Sequence, residues 1–98
     1  MLHIVNKSPF QNNALQTCLQ VASGGDLLLI EDAVYAATPG TAWAEQLSAA
    51  QSRLRVFVLQ PDLEARGMGT AVIEGVTLVD YAGFVERVTE NATCQSWL

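Results

Sequence analysis

Between Gly24-Gly25 and Glu31-Asp32 the chain carries Asp26 and then four apolar residues in a row, Leu27-Leu28-Leu29-Ile30. A strand with one wet face alternates apolar and polar residues, and an amphipathic helix repeats near 3.6. This run does neither. A short unbroken apolar stretch just after a helix suits a central parallel strand, covered on both faces. The rest of the chain can be read around that strand.

Upstream, Leu2-His3-Ile4-Val5 is a short β-rich run. Ser8-Pro9-Phe10-Gln11 then reads as a helix start, with Ser8 as cap, Pro9 at the first helical position and Gln11 as capping-box partner. Asn12 or Asn13 is a competing cap. The helix is expected to run to about residue 22, with Leu15, Leu19 and Ala22 as its apolar stripe, and Ser23-Gly24-Gly25 ends it. Downstream, residues 33–37 suit a short helical turn and Thr38-Pro39-Gly40-Thr41 a loop. Residues 43–50 suit a helix with Thr41 as cap, and 54–59 a strand. A short helix lies between Pro61 and Gly67. A strand at 76–79 precedes a final helix over 81–91, capped by Asp80, with Tyr81, Phe84, Val85 and Val88 on its apolar face. The tail, Thr93-Cys94-Gln95-Ser96-Trp97-Leu98, has no clear period. Strands alternating with helices predict an α/β fold, a small layered single domain (residues 1–98) with a mainly parallel sheet flanked by helices.

Composition narrows the function classes. Half of the 98 residues are hydrophobic and 15% are charged, against about 25% charged in an ordinary domain. Disorder requires the opposite balance. No apolar run approaches the roughly 20 residues of a membrane span, so no membrane association is expected. No export signal is evident, and the expectation is a cytoplasmic protein with reduced thiols. Ten acidic residues against five basic ones give a net charge of −5 and a pI near 4.5. Lys7, Arg53, Arg55, Arg66 and Arg87 are scattered, so no basic patch is expected to engage nucleic acid.

The carboxyl ends of parallel strands are where open α/β sheets bind ligands. Three segments belong there: Asn6-Lys7-Ser8-Pro9, Glu31-Asp32 and Gln60-Pro61-Asp62. None is a nucleotide-binding signature, and Gly67-Met68-Gly69 is too short and follows a helix. No cofactor or metal is expected, because Cys18 and Cys94 are too few and too far apart for a zinc site or a disulfide framework. Cys18 is the candidate nucleophile, able as a thiolate to hold a persulfide and pass it on. It also falls on the apolar stripe of the first helix, where a free cysteine packs as a small hydrophobe. Cys94 reads as an incidental tail cysteine and His3 as a hydrogen-bonded packing residue of its strand. Glu31 and Asp32, adjacent at a strand end, point in opposite directions. Solvation for Glu31 and a cap for Asp32 follow. Trp43 and Trp97 suit packing or interface anchors.

The ordered set of blocks Leu2-His3-Ile4-Val5-Asn6-Lys7-Ser8-Pro9-Phe10, Cys18-Leu19, Glu31-Asp32-Ala33-Val34-Tyr35-Ala36-Ala37, Pro61-Asp62-Leu63-Glu64-Ala65-Arg66-Gly67, Val79-Asp80-Tyr81-Ala82-Gly83-Phe84-Val85 and Gln95-Ser96-Trp97 resembles the DsrH/TusB family of small sulfur-relay proteins. The resemblance implies a DsrE/F/H-like fold and a place in a cytoplasmic heterohexamer with DsrE/TusD-like and DsrF/TusC-like subunits. It implies that the complex is a sulfurtransferase serving a DsrC/TusE-like carrier, with the principal persulfide cysteine on the DsrE/TusD-like partner. The destination implied is 2-thiouridine at the tRNA wobble position in the TusB branch and oxidation of stored sulfur in the DsrH branch. Cys18 matches a cysteine that DsrH-type members carry, and the wording of the blocks lies closer to that branch. The alternative is a non-catalytic interaction subunit in which Cys18 is inert core packing. A third class, a stand-alone enzyme using the strand-end carboxylates, would require Asp32 to be essential for a turnover. On the family reading, the excess of apolar residues marks surface to be covered by sibling subunits.

Overall fold

The computed structural model describes residues 1–97. Among them five strands form one all-parallel sheet: β1 (Leu2–Val5), β2 (Gly25–Leu29), β3 (Leu54–Leu59), β4 (Thr77–Val79) and β5 (Cys94–Trp97), in the order β4-β3-β2-β1-β5. The apolar run is the middle strand, as expected, and Leu27, Leu28 and Leu29 are fully buried. Ile30 lies outside it, leading into a 3-10 helix over Glu31–Ala37.

Four helices complete the layers: α1 (Ala14–Val21), α2 (Ala42–Ala50), α3 (Gln60–Ala65) and α4 (Tyr81–Glu90). Caps expected at two of them are present. Thr41 Oγ1 accepts from the Ala44 amide at 3.2 Å, and Asp80 Oδ1 from the Gly83 amide at 2.8 Å. The start of α1 differs from expectation. Ser8 closes a local turn instead, accepting from the Gln11 amide through its carbonyl and from the Phe10 amide through Oγ. The helix begins at Ala14, whose amide donates to Asn12 Oδ1 at 2.7 Å. Side chains that can satisfy free amides locally compete with helix extension, and here the turn wins.

The chain steps β1→β2→β3→β4 in one direction across the sheet, then returns past its start to β5. Right-handed crossovers put successive steps in one direction on one face and a reversal on the other. The layers follow that rule. Leu15, Cys18 and Leu19 of α1, Ala33, Val34, Ala36 and Ala37 of the 3-10 helix, Leu47 of α2 and Leu63 of α3 all join Val5, Leu27, Leu29, Val56 and Val58 in the main core. The opposite face holds only Leu2, Leu28 and Phe57 as a buried cluster, with Ile4, Ile30, Val79 and Phe84 packed on it. Among the described residues, α4 is the one helix on that face.

Two expectations are corrected here. The tail forms β5, paired in register with β1 from Leu2↔Cys94 to Val5↔Trp97. Its composition gives little strand signal; the free edge of β1 supplies the template. On α4, Phe84 turns inward as expected, but Tyr81, Val85 and Val88 are 63%, 59% and 37% exposed, and no residue of the helix is fully buried. Gly83 forms the inward contact instead: a Cβ there would lie 2.8 Å from Val79 Cβ, so the missing side chain sets how closely α4 approaches β4.

Candidate functional site

The parallel register brings the ends of β1, β2 and β3 to one rim. There the Glu31 amide donates to Asp62 Oδ2 at 2.6 Å, joining the second and third strand-end segments. Glu31 itself has φ +50°, a left-handed conformation that costs a non-glycine residue energy unless its surroundings hold it. Its side chain is exposed, as expected. Asp32 does not cap. The residue at the cap position is Ile30, and the Asp32 carboxylate pairs with Arg66 at 2.9 Å. Arg66 also donates to the Asp62 carbonyl at 3.1 Å, so the rim is a closed structural network. Beside it, the Asn6 side-chain oxygen is buried with no hydrogen-bond partner among the described residues.

Cys18 sits on the face of α1 that meets the sheet and has no solvent exposure. Burial raises its thiol pKa to about 11, and the charge of Arg53 only partly opposes the shift. Thiolate at neutral pH is then on the order of one part in ten thousand. Arg53 is held by the helix end: its Nε donates to the Ala22 carbonyl at 3.0 Å and its Nη2 to the Leu19 carbonyl. These are carbonyls that a helix leaves unpaired at its C-terminus. Cys18 lies in the second half of α1, away from the N-terminal amides that activate thiols.

Cys94 is exposed on β5. It pairs with Leu2, whose side chain lies on the α4 face, whereas Cys18 packs on the opposite one. The sheet separates the two thiols, so neither a disulfide nor direct sulfur exchange between them is possible within one chain.

His3 is buried, and its Nδ1 accepts from Trp97 Nε1 at 3.1 Å. Burial of the ring, reinforced by the N-terminal ammonium, lowers its pKa. The neutral imidazole therefore ties β5 to β1, and nothing in its setting suits a general base. Trp97 and Trp43 both pack half-buried against the main core.

The four arginines each have a partner within the chain. Arg55, directly opposite Asp26 across β2 and β3, binds it through two nitrogens at 2.7 and 3.0 Å. Asn91 adds a third bond to that carboxylate at 3.0 Å. Burial alone would raise the Asp26 pKa, but the bonds from Asn91 and Arg55 outweigh it, and the carboxyl is held below its usual range. Arg87 pairs with Glu90 at 2.9 Å and lies 4.9 Å from the centre of the Phe57 ring. Arg53 and Arg66 are paired within the chain as well.

Surface grooves among the described residues include two beside the helices. One, about 500 Å³, opens at the amino ends of β3 and β4 beside α4 and is lined by Leu54, Phe57, Gly75, Val79 and Arg87 among others. The other, about 260 Å³, lies between α1 and α2 next to Arg53. Neither is lined by Cys18 or the rim carboxylates. Among the described residues no group of three His, Cys, Asp or Glu side chains could hold a metal ion, and no helix is long and apolar enough to cross a membrane.

Composition and spacing alone missed three features: the β5 strand, the Asp26–Arg55–Asn91 cluster and the outer face of α4. Asp26 carried a usable signal, a lone carboxylate leading into the apolar run and requiring a partner.

Comparison with known proteins gives a family model described as "DsrH like protein", matching residues 7–94. Similar curated proteins are Protein TusB of Pectobacterium parmentieri, 38% identical over 98 residues, and Protein TusB of Erwinia tasmaniensis, 35% identical over 97. Protein TusB of Escherichia coli is 31% identical over 97 residues. In each case 99% of this chain aligns with 100% of the relative. The ychN protein of E. coli has a similar fold, with TM-score 0.79 at 21% identity over 97% of both chains. MTH1491 of Methanobacterium thermoautotrophicum, a protein of unknown function, gives 0.75 at 17% identity, covering 97% of this chain and 95% of that one.

Proposed function

Because the chain belongs to the family of DsrH-like proteins, we propose that it is the DsrH/TusB-type subunit of a cytoplasmic sulfur-relay complex. In this reading it assembles with DsrE/TusD-type and DsrF/TusC-type subunits into a heterohexamer. The complex passes persulfide sulfur to a DsrC/TusE-type carrier. The name shared by the relatives, TusB, favours 2-thiolation of the tRNA wobble uridine as the destination.

Each relay step is a thiol exchange. An acceptor thiolate attacks the outer sulfur of a donor persulfide, a new S–S bond forms as the old one breaks, and the donor leaves as a thiolate. No external oxidant is needed. The step requires an accessible thiolate, and Cys18 offers neither access nor ionisation. That burial is the observation favouring a partner subunit as the sulfur carrier, with this chain organising the assembly. Its internally paired arginines favour leaving tRNA contact to other components.

The test is deletion of the gene and measurement of 2-thiouridine in bulk tRNA, with complementation by wild type and by Cys18→Ala. The expected result is loss of the modification on deletion and recovery with both alleles. Unchanged 2-thiouridine after deletion would overturn the tRNA destination. Failure of Cys18→Ala to complement, with the complex intact, would overturn the division of labour and return Cys18 to the relay. A second reading, oxidation of stored sulfur, draws on the match of Cys18 to DsrH-type members. It predicts normal tRNA but impaired sulfur oxidation in the deletion strain.

A further inference from the structure

β5 closes one side of the sheet with an unguarded edge. Cys94 is the in-register partner of Leu2, and the Leu2 amide donates to the Thr93 carbonyl at 2.9 Å. Thr93 therefore turns its main-chain groups toward β1. Along a strand that direction alternates residue by residue, so Gln95 and Trp97 also face β1, while Cys94 and Ser96 turn their amides and carbonyls outward. Cys94, Gln95 and Ser96 are all exposed. Sheet edges are normally blunted by charge, proline or a bulge. Cys94–Trp97 contains no charged residue and no proline, and its register with β1 is unbroken. The outward Ser96 carbonyl accepts from the Gln95 side-chain amide at 3.3 Å, a long bond to an exposed group that a partner strand can displace.

The assembly reading points to the occupant. A heterohexamer built from equal numbers of three kinds of subunit holds two copies of each, related by a two-fold axis. A contact across that axis must be self-complementary, and two β5 edges related in this way run antiparallel. With Gln95 facing its own equivalent, Cys94 lies opposite Ser96 of the second copy, and their outward amides and carbonyls exchange hydrogen bonds. The residues that meet are uncharged, so a chain of net charge −5 encounters no like-charge penalty there. The Gln95 side-chain amides, each a donor and an acceptor, can bond one another across the axis. So short a strand pairing covers far less area than a stable dimer needs, so it joins copies already held by their siblings.

We propose that the outer edge of β5 pairs antiparallel with the same edge of a second copy, about a two-fold axis at Gln95, and so joins the two halves of the hexamer. The proposal rests on the assembly reading above and names the contact that doubles the complex.

The test is co-expression of the chain with its DsrE- and DsrF-type subunits and measurement of the mass of the complex, for wild type, Ser96→Pro and Gln95→Glu. Gln95→Cys in a Cys94→Ser background serves for cross-linking. The Ser96 amide points away from β1, where an edge strand tolerates proline, and Gln95 is exposed. Melting of the isolated variants should therefore stay close to wild type. Ser96→Pro removes an outward donor and should give a half-size complex. Gln95→Glu sets like charges on the axis and should weaken the hexamer at least about tenfold at low salt, with recovery as salt is raised. Mild oxidation of the Gln95→Cys complex should give a covalent dimer of this chain, because facing residues at a non-hydrogen-bonded position lie about 4.5 Å apart at Cα, within disulfide reach. A full-size hexamer with Ser96→Pro and Gln95→Glu, and no cross-link, would overturn the β5 pairing while leaving the relay reading standing. Half-size complexes without the covalent dimer would replace the second copy by a strand of a sibling. No complex with the wild-type chain would overturn the relay reading itself.

Discussion

Cys18 and His3 show how a reactive residue type is silenced by its surroundings. A free thiol among Leu15, Leu19, Leu27 and Leu29 is packing material, so Cys18→Ala should lower stability by about 1 kcal/mol, the order of a small core deletion. Denaturant unfolding checks this. Intact-mass analysis of the native wild-type chain treated with a sulfane-sulfur donor should show any +32 Da adduct on exposed Cys94, and none on Cys18. The burial of Cys18 was half legible: spacing put it on the apolar stripe, but only the packed sheet decides whether such a residue keeps an exposed edge. His3 gives a pH signature. Its folded pKa lies below the ordinary value of 6.5. Above that value both folded and unfolded chains hold it neutral, and nothing is lost. As pH falls through about 6.5, the unfolded chain takes up a proton that the folded chain refuses, so stability declines until the folded pKa is reached. Melting temperature should therefore drop between about pH 7 and pH 5, and His3→Gln should flatten that slope. Asp26 acts in a separate, more acid window, because its stabilisation is present above the usual carboxylate range and is lost as pH falls through its depressed pKa.

β5 and α4 are the elements where local pattern and final structure part company. Cys94-Gln95-Ser96-Trp97 has only Trp97 to suggest a strand, and its identity comes from a non-local partner, the open edge of β1. Trp97→Phe removes the indole donor and leaves His3 Nδ1 unpartnered, at a cost of about 1 kcal/mol. Amide exchange should accelerate over residues 94–97 first, while β2 and β3 stay protected. For α4 the 3.6 period was legible and the Asp80 cap was found, but periodicity cannot say which apolar face meets the sheet. Gly83 decides it, since only a residue without a side chain fits over Val79. Gly83→Leu should lift the helix and destabilise the chain by about 2 kcal/mol through overpacking, read from the denaturant midpoint.

The whole molecule is asymmetric because its winding reverses once. Three crossovers on one face build the main core, and the single return builds a thin second layer. The alternation of strands and helices made the α/β architecture legible, whereas the reversal depended on β5 and was hidden with it. The rim of Glu31, Asp32, Asp62 and Arg66 was located from sequence as the strand ends, but its closed hydrogen-bond network arises from residues about thirty apart meeting in space. One further consequence follows from how α4 is held. Asp80 caps its first turn, and Asn91, just past its last, is fastened to the Asp26–Arg55 pair. A beam fixed at both ends has little room to fray, so α4 is ordered along its whole length in the free chain. Amide exchange along residues 84–90 should therefore be slow at both ends of the helix, and Asn91→Ala should let its last turn exchange faster.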